Sequence, residues 1–121
     1  PPAMAGFRLL PQLNLPENAA CLGYRGYVDA HCERYFEGES LHERFARALA
    51  ARRAVPFKEV LESFEFFARV RKHVRAREVA DYCAGHGLVG ALFALYERRV
   101  ERVHFIERKP FVVVANSLVH W

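Results

Sequence analysis

Cysteine, methionine and tryptophan are scarce in this 121-residue chain, at three, one and one. The cysteines, Cys21, Cys32 and Cys83, form no Cys-x-x-Cys pair. An odd number without regular spacing argues against a disulfide framework and points to a reducing compartment, taken here as cytoplasmic. No run of about 18 apolar residues occurs, so no segment has the length of a membrane-spanning helix. The first residues, Pro1-Pro2-Ala3-Met4, lack the charged-then-apolar order of a signal peptide. They also do not begin with Met, which suggests a processed or partial chain. Charge of one sign is only mildly in excess, 18 Lys+Arg against 14 Asp+Glu, with a pI near 9.2. That balance permits an RNA partner without demanding one. Internal repeats and low-complexity tracts are absent. A hydrophobic content of 52% is ample for a core and excludes global disorder.

What is present is concentrated in residues 78–107. A β-prone run, Val79 to Cys83, leads into a glycine loop, Gly85-x-Gly87-x-x-Gly90. An apolar, helix-like run follows from Leu88 to Tyr96, and a second β-prone run, Val103 to Ile106, ends on Glu107, which predicts a strand at 78–83, a helix at about 87–98 and a strand at 102–107. Glycines let the backbone turn sharply and let a ligand come close. A helix beginning just after such a turn directs unpaired N–H groups and the positive end of its dipole at whatever lies there. A carboxylate at the end of the neighbouring strand can accept hydrogen bonds from ribose hydroxyls, as in nucleoside sites beyond the strand ends of open α/β sheets. The glycine spacing also satisfies the dinucleotide fingerprint, with the acid 17 residues past Gly90, near the expected separation.

The rest of the chain reads as helical. Residues 1–24 hold four prolines and suggest an irregular arm packed by Phe7, Leu9, Leu10, Leu13 and Leu15, with a turn at Gly23 to Gly26. A first helix is expected over 27–37. Ser40 followed by Glu43 has capping-box spacing, which predicts a helix from Leu41 to about Arg53 with Leu41, Phe45, Ala48, Leu49 and Arg52 on one stripe. Pro56 suits the first turn of a third helix, whose stripe is Val60, Leu61, Phe64, Phe67, Ala68 and Val74. Pro110 opens a further helix, although the β-branched run Val112-Val113-Val114 weakens it.

Asp81 stands four residues before Gly85, and Asp-Tyr-Cys-Ala-Gly-His-Gly resembles motif I of the class I S-adenosylmethionine (SAM)-dependent methyltransferases. Val-His-Phe-Ile-Glu resembles motif II of that family. The long leader before the first strand suits it as well. The resemblance covers about 78–121 and implies a fold and a ligand. The fold would be α/β, a partial Rossmann-like SAM-binding sheet preceded by an α-helical N-terminal region, with 1–76 as arm and helices and 77–121 as the first half of the cofactor domain.

The ligand would be SAM, held by Asp81, Cys83, Ala84, Gly85, His86, Gly87, Glu107 and Arg108. By resemblance, Gly85 and Gly87 contact the methionine part through their backbone, Asp81 orients the loop and reaches the amino group, and Glu107 binds the ribose hydroxyls. Each has a plainer reading: an ordinary tight turn, a carboxylate bonding loop N–H groups, an acid paired with Arg108 or Lys109. Cys83 reads as a small buried residue rather than a nucleophile. No catalytic base can be assigned.

The family's sheet has seven strands and this chain supplies about two, so a missing C-terminal half or a second chain is expected to complete it. The loop and second strand look somewhat like those of rRNA methyltransferases, which makes RNA the first substrate expected. Two rivals remain: an NAD-type oxidoreductase, and a non-catalytic methyltransferase-like interaction module. Arg69, Arg71, Lys72, His73, Arg75 and Arg77 form a basic cluster, read either as an RNA-facing surface or as the solvated side of a helix. His31, Cys32, His42 and Cys21 match no zinc pattern, and no metal is expected.

Overall fold

Ser40 caps the first α-helix, as its spacing to Glu43 predicts. The structure, a computed structural model, describes residues 6–82, 85–106 and the backbone of 111–114. The chain divides into two compact units, Pro1–Glu65 and Phe66–Trp121.

In the first unit, 3-10 helices span Pro11–Asn14, Pro16–Gly23 and Ala30–Phe36. The expected first helix is therefore this tight 3-10 segment, begun by Asp29, whose carboxylate accepts the His31 N–H at 2.9 Å. Helix α1 runs Leu41–Ala51. Its Glu43 N–H donates to Ser40 Oγ at 3.2 Å, and the Glu43 carboxylate accepts from the Ser40 hydroxyl at 2.6 Å and from the Gly38 N–H at 3.1 Å. Those bonds draw Glu43 inside and rotate the helix. The buried positions are Glu43, Ala46 and Ala50, whereas Leu41 and Ala48 of the expected stripe are exposed. Arg47 turns the same way, its guanidinium donating to the carbonyls of Phe36 and Gly38. A stripe drawn from apolar residues alone misses a helix face that buries a capping carboxylate. Glu43→Ala leaves the Gly38 N–H without its acceptor and should cost about 1–3 kcal/mol, with Glu43→Gln costing less; urea denaturation of the two variants checks this.

Helix α2 spans Phe57–Val70, one residue after Pro56. Val60, Leu61, Phe64 and Phe67 are all buried, as the 3–4 spacing predicts, whereas Ala68 is half-buried and Val74, also expected on the stripe, lies past the helix after a 3-10 turn at Arg71–His73. Phe45 stacks on Phe64 with ring centroids 5.9 Å apart.

The second unit carries the sheet. Strand β1 is Glu78–Tyr82, β2 is Arg102–Ile106, and helix α3, Leu88–Tyr96, lies between them in sequence. β1 and β2 pair in parallel, Glu78 beside Arg102 and Tyr82 beside Ile106. Parallel neighbours need a crossover, which α3 provides. The face bearing Val79, Val103 and Phe105 packs with Val100 and Ala94 into one apolar cluster. β3, Phe111–Val114, pairs antiparallel with β2. Here the expectation of a helix after Pro110 fails: the β-branched residues Val112 to Val114 prefer an extended, laddered backbone, and the edge of β2 supplies the ladder. The fold is thus mixed α/β, a parallel pair extended by an antiparallel strand. Among the described residues, no helix is long and apolar enough to cross a membrane.

Candidate functional site

Strand β1 ends at Tyr82, and α3 begins at Leu88, with five residues between them. Within that turn Gly85 and Gly87 both have positive φ, 55° and 77°, a conformation that side chains with a Cβ adopt only under strain. Gly87 is also the N-cap of α3, with no side-chain cap bond of its own.

The missing cap comes from the strand. Asp81 Oδ2 accepts the Gly90 N–H at 3.0 Å, which ties the first turn of α3 to β1. A carboxylate at this point satisfies a helix-start donor and sits favourably at the positive end of the helix dipole. The N–H groups of Leu88 and Val89, the other two of that turn, have no acceptor among the described residues. The first turn of α3 therefore has two N–H groups without a described acceptor, while its acid is held in place. Asp81 thus acts as a carboxylate bonding the first turn of α3.

The third glycine has a different task. A Cβ on Gly90 would stand 2.4 Å from Phe105 Cε1 and 2.8 Å from Val103 Cγ1, and one on Gly87 would stand 2.9 Å from the same ring. Gly90 lets α3 lie directly on β2, and Phe105 is the plate on which both glycines rest. Sequence reasoning missed Phe105 as a site residue. Its signal was alternation: in Val103-His104-Phe105-Ile106 the first and third residues share a face.

The parallel register places Ile106 level with Tyr82, so both strands point their carboxyl ends to the glycine-loop end of the sheet. Gly85 and His86 are exposed there, and Gly87 is buried. Cys83, Ala84, Glu107 and Arg108, also expected to bind cofactor, lie outside the described residues. A cavity of about 290 Å³ opens beside Asp81, lined by Val70, Val74, Val79, Val89, Gly90 and Phe93 among others. At the opposite face of β1 and β2, His104 Nε2 lies 3.0 Å from Glu78 Oε1. That contact, with help from Arg102, holds the Glu78 carboxyl below its ordinary range.

The basic cluster is largely absorbed by structure. The Arg71 guanidinium lies 5.0 Å from the Phe67 ring centroid and 4.8 Å from that of Tyr96, and donates to Glu97 at 2.8 Å. Arg77 pairs with Glu101 through two bonds of 3.0 Å. Both act as ties within the unit, not as bare cations.

A larger cavity, about 650 Å³, belongs to the first unit and is lined by Tyr24, Tyr35, Phe57, Arg34, Cys21 and Cys32 among others. Burial pushes both thiols above their ordinary range, so they stay neutral and unreactive. Asp29 is engaged by the His31 N–H and by the Cys32 thiol, the latter at 3.6 Å. Size favours this cavity, but chemistry favours the glycine turn, where positive-φ backbone, open N–H donors and a fixed carboxylate converge. Among the described residues no three His, Cys, Asp or Glu side chains stand together as a metal set.

Comparison with protein-family models, with curated proteins and with solved structures finds no match for this chain.

Proposed function

We propose that the chain is the cofactor-binding portion of a SAM-dependent methyltransferase of the class I kind, with a Rossmann-like sheet and an RNA acceptor. The observation that carries this reading is Asp81, a strand carboxylate that fixes the start of the helix following two positive-φ glycines. In this arrangement the Leu88 and Val89 N–H groups face the carboxylate of the methionine part. Asp81 and the Gly85 to Gly87 backbone lie along its amino-acid end, and Glu107, next in sequence after β2, takes the ribose. SAM when bound supplies an electrophilic methyl on a sulfonium; the chain's own contribution is to position it. In this reading any further strands would join at the edge of β1, which pairs with no other described strand.

One observation favours a second reading. Gly90 performs the close helix-on-strand packing that belongs to the third glycine of dinucleotide sites, so an NAD-type oxidoreductase is the rival. Thermal melting separates the two. A ligand present at 100 times its Kd stabilises the folded state by about 2.7 kcal/mol. S-adenosylhomocysteine should raise the melting temperature, NAD should not, and Glu107→Ala should abolish the rise. A rise with NAD alone would select the oxidoreductase.

A further inference from the structure

The net charge of the chain is not evenly spread. Residues 66–121 hold ten Lys and Arg against five Asp and Glu, whereas residues 1–65 hold eight against nine. The whole positive excess therefore lies in the unit that carries the glycine turn. Within that unit the acids nearest the surplus are already matched: Glu97 by Arg71 at 2.8 Å and Glu101 by Arg77 at 2.9 Å. Arg98 and Arg99 are exposed, and neither has an ion-pair partner among the described residues. They occupy the tight turn between α3 and β2.

These two arginines do not stand on a flat surface. With Arg75 they line a cleft of about 270 Å³ formed by residues 74–76 and 97–100. Arg75 is fixed there, one guanidinium nitrogen donating to the carbonyls of Arg71 and Val74 at 3.1 Å each. Glu97 also lines the cleft, but its charge is offset by Arg71. Three arginines line this concavity, and arginine suits phosphate oxygens, which its guanidinium can grip with paired N–H donors.

We infer that the cleft of Arg75, Arg98 and Arg99 is a phosphate-binding groove for the backbone of a single-stranded RNA. The inference deepens the RNA part of the proposed function and rests on that part, not on the cofactor. The cleft precedes β1 and β2 in sequence, so it lies at the amino ends of the parallel strands, and the glycine turn lies at their carboxyl ends. Five-residue strands put roughly 15–17 Å between the two, a distance that a bound strand of RNA spans with its backbone anchored at one end. A lipid surface is the weaker fit. The cleft is concave, and its apolar residues Val74 and Val100 are half-buried and buried instead of projecting to insert.

The test is fluorescence anisotropy of a labelled single-stranded RNA 12-mer with the chain, Arg98→Gln/Arg99→Gln and, as a control of equal charge change in the other unit, Arg25→Gln/Arg44→Gln. The substituted arginines are exposed, and circular dichroism verifies that each variant folds. Removing two phosphate contacts should lower the slope of log affinity against log salt by about 1.4, at roughly 0.7 per contact, and weaken binding more than tenfold at 50 mM salt. The control should move neither. Absence of RNA binding by the parent, equal losses in both double variants, or sedimentation with phosphatidylserine vesicles in place of RNA binding would overturn the inference. S-adenosylhomocysteine binding, measured in parallel, should be the same in parent and variant, so failure of the cleft and failure of the cofactor reading are seen separately.

Discussion

Gly90→Ala should destabilise the sheet unit by about 1–3 kcal/mol, the cost of forcing a methyl group into a packed core. The added Cβ would meet Phe105 at 2.4 and 2.8 Å and Val103 at 2.8 Å. These neighbours have no room to yield, because Phe105 is 2% exposed and Val103 fully buried. The helix could only lift off β2, and that would stretch the Asp81–Gly90 bond as well. Helix propensity points the other way, since alanine is favoured over glycine by about 1 kcal/mol in a helix interior, so a net loss identifies the steric contact as the cause. Phe105→Leu should lose stability alone but soften the effect of Gly90→Ala, giving a favourable coupling in a double-mutant cycle. Thermal or urea denaturation of the four chains reads this out; additive losses would show that the ring does not set the helix-to-strand approach.

The second large effect is at Asp81, where two roles can be separated. Asp81→Ala removes the acceptor from the Gly90 N–H and should cost about 1–2 kcal/mol, the usual loss for a helix-start cap. It should also weaken S-adenosylhomocysteine binding more than tenfold. Asp81→Asn keeps an acceptor oxygen at the same place and should retain most of the stability, yet it loses the negative charge that the proposed function sets against the amino group of SAM. Stability near the parent with binding still reduced more than tenfold would assign Asp81 to both helix and ligand. If Asp81→Asn binds like the parent, the carboxylate serves the fold alone.

Much of the architecture around the glycine turn was legible in the sequence because short-range rules dominate there. Three glycines, a strand acid and two β-prone runs place the turn, β1, α3 and β2 to within two residues, the helix ending two residues before the expected 98. The stripe of α2 was equally plain, since its contacts are apolar and regularly spaced. The misses arose where a polar group or a distant partner decides the outcome. The face of α1 follows the buried Glu43 and the Arg47 guanidinium, which hydrophobicity counts as outward. The segment after Pro110 carries helix-start and strand signals at once, and the ladder with β2 chose the strand. In the basic cluster, sequence neighbours part company: Arg71 and Arg77 serve Glu97 and Glu101, residues more than twenty positions away. Arg75 instead joins Arg98 and Arg99, a grouping that exists only once α3 has brought the chain back to the sheet.

Calorimetric titration of the chain with S-adenosylhomocysteine tests the central claim most directly. The account predicts one saturable site, reduced by Asp81→Asn and lost in Glu107→Ala, with NAD giving no heat. Saturable binding of NAD, or no binding of S-adenosylhomocysteine, would contradict it and leave the glycine turn as a structural joint.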